Sequence, residues 1–392
     1  MYKLTKIESG VCAADGFFAD GVSAGLKPDG AKDMAFIYSD TLCDIASVFT
    51  TNKMTAAPIH HFRNKGDFQT NFVLINSKNA NAMTGKAGIE DIDEILSALP
   101  ANITNPVMSS TGVIGVRLPK DKIISGTKLF NLTTRNSDAA AQAIMTTDSF
   151  AKKIAYKVEL EDGSNFHIGA IAKGAGMINP AMATMLCFIT TDADITKEEM
   201  QTLLNANTQL TFNAASVDGD TSTNDTVMLL SNKKSGIYNK EAFNKALYEI
   251  MTFLAREMVR DGEGATKLVT YKVTGAVSDK EAEVVAKALS NSLLVKTALY
   301  GEDPNWGRIA STVGASGAKA DEALLSISFD DVCVYDKGNL YFDEAMEVKA
   351  AQVMKKDSFT ISCDLGLGDG SFRAYGCDLG YKYVEINADY RT

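Results

Sequence analysis

Thr184 ends a loop of small residues, Lys173-Gly174-Ala175-Gly176-Met177-Ile178-Asn179-Pro180-Ala181-Met182-Ala183, and the apolar stretch from Met185 to Ile189 follows it. A hydroxyl fixed at the entrance of a buried strand can attack the carbonyl of the residue before it, here Ala183. Hydrolysis of the resulting ester would make Thr184 a new N-terminus. Its α-amine, with an ordinary pKa of about 7.7–8.0, can be neutral near physiological pH, so one residue would supply both nucleophile and base. The same pattern also describes the plain first residue of a strand.

Five segments widen the case. Residues 173–193 (KGAGMINPAMATMLCFITTDA), 110–115 (STGVIG), 261–267 (DGEGATK), 301–309 (GEDPNWGRI) and 386–392 (INADYRT) together resemble the ornithine acetyltransferase family, also called glutamate N-acetyltransferases of arginine biosynthesis. The likeness follows the family's order from Gly21-Val22 to the final threonine. It implies a layered α/β sandwich carrying the threonine site, followed by a smaller α/β domain. It further implies self-cleavage between Ala183 and Thr184 into an α chain, 1–183, and a β chain, 184–392, which assemble as a heterotetramer of two of each. In the implied ping-pong cycle Thr184 takes the acetyl group of N2-acetylornithine, releases ornithine and passes the acetyl group to glutamate. Some members also accept acetyl-coenzyme A as donor, and the residues leave that open here. No cofactor and no metal is expected.

Acetyl transfer builds an oxyanion, which needs preorganised donors worth about 3–4 kcal/mol each. Thr111 and Gly112 match the family's oxyanion-hole pair, although Ser110-Thr111-Gly112 alone also suits an ordinary turn. Lys173 reads either as a cation for the substrate α-carboxylate or as a solvated lysine. Thr147 matches a substrate-binding threonine of the family, with Thr146 beside it leaving the register open; a Thr-Thr-Asp run also serves as a helix cap. Glu263 lies between Gly262 and Gly264, which let a carboxylate approach a ligand's ammonium group closely. An acidic loop after a helix can equally be solvated. The resemblance places equivalents of Asn387 and Thr392 in the substrate site, so this terminus is expected to be docked where most chain ends fray. The family pattern has glycine at position 78 and cysteine at position 83; Lys78 and Met83 stand there instead, which bears on the geometry of that loop.

Other stretches carry less chemistry. Gly366-x-Gly368-x-Gly370 reads as a hairpin, since no helix follows to make a dinucleotide loop. The run Asp218 to Asp225 lacks the distal glutamate of a calcium loop and reads as an ordered loop on the active-site side. Trp306, the only tryptophan, is expected to pack at a domain junction. His60, His61 and His167 are too few for a triad or a metal site and are assigned structural roles.

The elements that position these residues read as α/β or α+β. Short apolar runs over 35–38, 45–49 and 72–75 alternate with a helical pattern at Ile89, Ile92, Leu96 and Leu99, stopped by Pro100. Runs at 154–160 and 167–172, joined by Glu161-Asp162-Gly163-Ser164, make a hairpin that delivers Lys173. Thr196-x-x-Glu199 and Ser278-x-x-Glu281 are capping boxes, and residues 239–259 form one long helix with Phe243, Ala246, Ile250 and Leu254 on a common face. Strand-like runs dominate from Ala323 onward, including 383–386. This divides the chain into a sandwich domain, 1–275, and a C-terminal α/β domain, 276–392.

The 392 residues can bury a large core. A net charge of −10 argues against nucleic acid and against an anionic membrane, because the summed field repels phosphates. The first residues show no signal-peptide run and no segment reaches the roughly 20 apolar residues of a membrane span. Six scattered cysteines without a C-x-x-C pair suit reduced, mostly buried thiols. Cytoplasmic localisation follows. An N-terminal-nucleophile aminopeptidase or amidase, with water as acceptor, shares the acyl-enzyme step and stays open, as does a non-enzymatic scaffold with an intact chain.

Overall fold

The fold is that of a computed structural model, which describes residues 1–179 and 185–389. Ala183, Thr184 and Thr392 lie outside the described residues. The first nine strands are β1 (Tyr2–Ile7), β2 (Phe17–Val22), β3 (Met34–Phe49), β4 (Thr70–Asn76), β5 (Val107–Ser110), β6 (Lys152–Leu160), β7 (Asn165–Lys173), β8 (Leu186–Thr191) and β9 (Thr226–Ser231). They form one sheet in the order β1-β6-β7-β8-β9-β3-β4-β5, with β2 also paired to β3. The helices of this part are α1 (Ala57–Asn64), α2 (Gly85–Ser97), α3 (Lys120–Thr127), α4 (Ser137–Ala143), α5 (Lys197–Leu210) and α6 (Lys240–Arg260).

Strand β3 decides the architecture. Its first half, to Tyr38, pairs with β2 and β4, and its second half, from Asp44, pairs with β9. A register irregularity between Tyr38 and Cys43 separates the halves, and such breaks bend and twist a strand. The two halves of the sheet therefore face each other. Phe17, Ala35, Ile37, Val73 and Ile75 from one half meet Ile171, Leu186, Phe188, Met228 and Leu230 from the other in a shared core. Strand side chains alternate between faces, so Phe36, Phe72 and Leu74 point outward to α2 and α3, while Cys187, Ile189 and Val227 point outward to α5 and α6. The result is four layers, helix-sheet-sheet-helix, in which strands buried on both faces read as continuous apolar runs.

Helix α6 shows how packing outweighs local signals. Its cap, in which Asn239 accepts from the Ala242 amide at 3.0 Å, contributes about 1 kcal/mol. Phe243, Leu247, Ile250, Met251 and Leu254 are fully buried, at about 1.5–3 kcal/mol each.

The second sheet holds β10 (Leu268–Ala276), β11 (Ser326–Phe329), β12 (Val332–Asp336), β13 (Asn339–Leu340), β14 (Ser358–Asp364) and β15 (Gly370–Cys377), in the order β13-β12-β11-β14-β10-β15. Helices α7 (Asp279–Asn291), α8 (Leu293–Tyr300), α9 (Trp306–Ala315) and α10 (Glu344–Met354) belong to this part, and α11 (Tyr381–Asp389) follows it. Position 275 falls inside β10. Three expectations are corrected here. Residues 383–386 are helical, within α11; a short aromatic and β-branched run cannot by itself separate strand from helix. The Gly366–Gly370 segment makes no hairpin, because β10 lies between β14 and β15. It passes tightly over the end of β10, where a Cβ on Gly370 would lie 2.4 Å from the Ser278 carbonyl oxygen. Trp306, expected at a domain junction, is half-buried against the second core, stacked on Tyr335 at 5.3 Å, and belongs to none of the cores of the first sheet.

Both departures from the family pattern fall on left-handed backbone, with φ +81° at Lys78 and +58° at Met83. Left-handed φ costs a residue with a Cβ about 1–2 kcal/mol, and glycine avoids it at some loss of unfolded-state entropy. Lys78→Gly is therefore expected to raise the unfolding free energy by up to about 1 kcal/mol. Urea denaturation of the purified variant measures it, and a loss of stability would show that the lysine side chain contributes more than its backbone costs.

Candidate active site

One cleft gathers residues from distant parts of the chain. Strand β5 delivers Thr111 and Gly112, the segment after α4 delivers Thr146 and Thr147, and β7 ends in Lys173; the segment after α6 brings Glu263, and α11 brings Tyr383 and Asn387. Of the site residues expected from sequence, Thr111, Gly112, Thr147, Lys173, Glu263 and Asn387 all line it. Thr146 lines it as well. The expected nucleophile, Thr184, its neighbour Ala183, and Thr392 fall outside the described residues.

The Thr111-Gly112 corner is built by close backbone approach. The Thr111 amide donates to the Asn76 carbonyl at 3.1 Å. A Cβ on Gly112, whose φ is +134°, would lie 2.2 Å from the Lys78 carbonyl carbon, so only glycine fits. The Gly112 amide donates to no described acceptor. Asn224 clamps this corner by donating to the Ala80 carbonyl at 2.6 Å and the Ser110 carbonyl at 2.8 Å. Lys173 is 2% exposed, and its Nζ donates to Thr111 Oγ1 at 3.3 Å. That leaves the Thr111 hydroxyl proton available for a third group. Burial lowers the Lys173 pKa, and Asp148, Glu263 and Asp225 act in the opposite sense.

Glu263, also in the lining, is anchored by its amide, which donates to the Ala175 carbonyl at 2.8 Å. Its Oε2 accepts from Asn387 Nδ2 at 2.7 Å. A Cβ on Gly176 would lie 2.5 Å from the Glu263 carboxyl carbon, so the carboxylate rests against bare backbone. Asn387 also donates to the Tyr383 carbonyl at 3.0 Å, one turn back on α11. The helix thus presents Tyr383 and Asn387 on one face.

Beneath the cleft lies a buried ionic cluster that sequence reading did not identify. Lys152 and Asp148 have fully buried side chains 2.8 Å apart, and Asp261 contacts Lys152 at 2.5 Å with 2% of its side chain exposed. Asp148 Oδ1 also accepts from the Gly174 amide at 2.7 Å, and Oδ2 from the Thr146 amide at 3.0 Å. Burial pushes the Asp148 carboxyl up, but the charges of Lys173 and Lys152 and the bonds it accepts outweigh that and hold it at about 2. The residues 218–225, read from sequence only as a nearby loop, supply Asp218, Asp220, Ser222, Thr223 and Asn224 to the lining. Burial raises the Asp218 pKa against the Met177, Ile178 and Asp220 amides it accepts from. Asp225 is fully buried, accepts from the Met185 amide at 3.0 Å, and is pushed by burial well above the ordinary carboxylate range.

The histidines stand elsewhere. His60 contacts Thr55, His61 contacts Asp93 and His167 contacts Asp192. Among the described residues no group of His, Cys, Asp and Glu is arranged to hold a metal ion, and no helix is long and apolar enough to cross a membrane. The six cysteines are unpaired, with only Cys333 partly exposed.

Comparison with known proteins gives a consistent picture. The profile of the ArgJ family matches residues 18–392. The chain is 60% identical to the arginine biosynthesis bifunctional protein ArgJ of Wolinella succinogenes over 396 residues, covering 100% of both chains. It is 41% identical to the ArgJ protein of Synechocystis, covering 98% of both. A solved ArgJ protein from Bacillus halodurans shows 41% identity, covers 52% of this chain and 98% of its own, and has a TM-score of 0.49.

Breaking a buried ion pair from one side strands a charge at a cost of about 3–5 kcal/mol. Lys152→Met, which strands the buried carboxylates of Asp148 and Asp261 together, is expected to lose at least that much unfolding free energy, and Asp148→Asn, which leaves Lys152 its Asp261 partner, should lose less, as read by denaturant melts. The folded pKa of Asp148, about 2, lies below the ordinary 3.8. Its contribution is therefore complete above about pH 4 and lost as the pH falls through 2. A variant whose acid unfolding matches the parent over that interval would remove Asp148 from this role.

Proposed function

This chain belongs to the ArgJ family, acyltransferases of arginine biosynthesis, and we propose that it moves the acetyl group of N2-acetylornithine onto glutamate through an acetyl-Thr184 intermediate. The observation that carries the reading is that one buried cation, Lys173, and the carboxylate of Glu263 line the same cleft, whose corner offers the Thr111 hydroxyl and the Gly112 amide. An amino acid presents the complementary pair. Its α-carboxylate would meet Lys173, and an ammonium group would meet Glu263, oriented by Asn387. Thr146 and Thr147 would add hydroxyl contacts.

In this scheme the chain first cleaves between Ala183 and Thr184 into segments 1–183 and 184–392. The Thr184 hydroxyl then attacks the acetyl carbonyl while its own α-amine takes the proton. Thr111 Oγ1 and the Gly112 amide would hold the oxyanion, each worth about 3–4 kcal/mol. Lys173 favours this by occupying a lone pair of Thr111, which aims the hydroxyl proton elsewhere. Ornithine leaves, glutamate enters and the steps run in reverse. Acetyl-coenzyme A as a second donor, a heterotetramer of two segments of each kind, docking by Thr392 and a cytoplasmic setting belong to the same proposal.

The test is to incubate the purified protein with acetylornithine and glutamate, with and without acetyl-coenzyme A, and to quantify acetylglutamate. Water as the sole acceptor would overturn the transferase reading. Thr184→Ala should give one intact chain and no transfer, and two fragments from it would move the nucleophile elsewhere. Glu263→Gln should still be processed yet show a KM for acetylornithine raised about tenfold or more, the loss of a charge-assisted contact. Activity should fall on the acid side with an apparent pKa at or below about 7.7–8.0, because in this scheme the amine would work in the cleft that Lys173 lines, where a neighbouring cation would disfavour its charged form. Full activity with that amine quantitatively blocked, as judged by mass spectrometry, would rule out the self-base step.

A further inference from the structure

We propose that the open face of the second sheet, where it meets α6, is a binding site for a small phosphate-bearing anion. Alternation along β10 and β15 sends Tyr271, Val273 and Ala374 into the second core. Their neighbours Lys272 and Arg373 point the other way. These two cations stand directly opposite each other across the β10–β15 ladder. Like charges in that position destabilise a sheet.

A third cation joins them. Arg256 of α6 lines the same groove, of about 420 Å³, with its guanidinium 5.8 Å from the ring of Tyr375. Hydroxyls of Thr270, Ser358 and Thr360 line it as well. Among the described residues none of the three cations has an ion-pair or hydrogen-bond partner. The one carboxylate in the lining, Asp330, is already engaged, accepting from Lys356 Nζ at 2.7 Å and from the Thr360 amide at 2.8 Å. In a chain of net charge −10, three uncompensated cations converging on a hydroxyl-lined groove form a local field of the opposite sign.

Two guanidinium forks and an ammonium match the several oxygens of phosphate better than a single carboxylate, since they offer more donors than one carboxylate can accept. The site is separate from the cleft, and its occupant would compensate the Lys272–Arg373 repulsion.

Isothermal titration at low ionic strength, with pyrophosphate and in a second arm inorganic phosphate, tests the proposal. One saturable site is expected, and the double variant Lys272→Ala, Arg373→Ala should weaken it by about tenfold or more. Thermal melts give a second reading that does not rely on the double variant. Pyrophosphate should raise the parent's Tm, whereas Arg373→Ala should melt higher than the parent in anion-free buffer and gain less from the ligand. Absence of saturable heat, or undiminished binding by the double variant, would overturn the site. A change of mass in light scattering when the charges are removed would overturn it too, by marking the face as a contact between copies of the chain.

Discussion

The carboxylate of Asp148, sealed between Lys152 and the Gly174 amide, is the constraint on which the cleft depends. It ties the segment after α4 to the end of β7, and through Lys152 it reaches Asp261 at the end of α6. Ser149 donates both its amide and its hydroxyl to the same Asp261. Three walls of the cleft are thereby held to one point. Coulomb attraction between buried ions is largely cancelled by the cost of removing them from water, so the cluster is better understood as fixing geometry than as adding net stability. Thr147, Lys173 and Glu263 each sit a residue or two from one of its members, and their relative placement follows from it.

The same economy governs the opposite corner. Asn224 holds one carbonyl from the loop after β4 and one from the end of β5, Gly112 presses its bare Cα against the Lys78 peptide, and the left-handed turns at Lys78, Asn81 and Met83 bring that peptide into position. Strain in the supporting loop is the counterpart of close approach at the cleft, where a glycine backbone can present an amide that a larger residue would shield.

Much of this was legible in the sequence where the signal is local. The hairpin ending in Lys173, the caps at Thr196 and Ser278, the long helix before Asp261 and the strand before Thr111 are all set by residues close in the chain, and the structure has each of them. The gathering of Thr111, Gly112, Thr147, Lys173, Glu263 and Asn387 followed from the family likeness and not from spacing. What stayed hidden is tertiary. Asp148 stands four residues before Lys152, a spacing that suits an exposed pair equally well, and nothing local announces a fully buried lysine, because its other partner, Asp261, is far along the chain. The run at 383–386 has strand-like composition, yet α11 buries none of its residues, and a chain segment without a core face gives periodicity nothing to report. The glycines at 366–370 signal close backbone contact, but not which backbone they meet.

Strand β8 begins just after residues 180–184 and is laid between β7, which precedes them, and β9, which follows. Six residue pairs join β7 to β8 across that gap. A chain divided there would behave as an interlocked pair whose halves each lack a neighbour needed to complete the sheet, since β3 in the first half also requires β9 in the second. Separation would expose both faces of the sandwich to water, and rejoining would become a second-order encounter between two incomplete sheets. For a chain cut there, topology would favour one order of events, in which the sandwich closes while the chain is continuous and the paired strands then hold the two segments together.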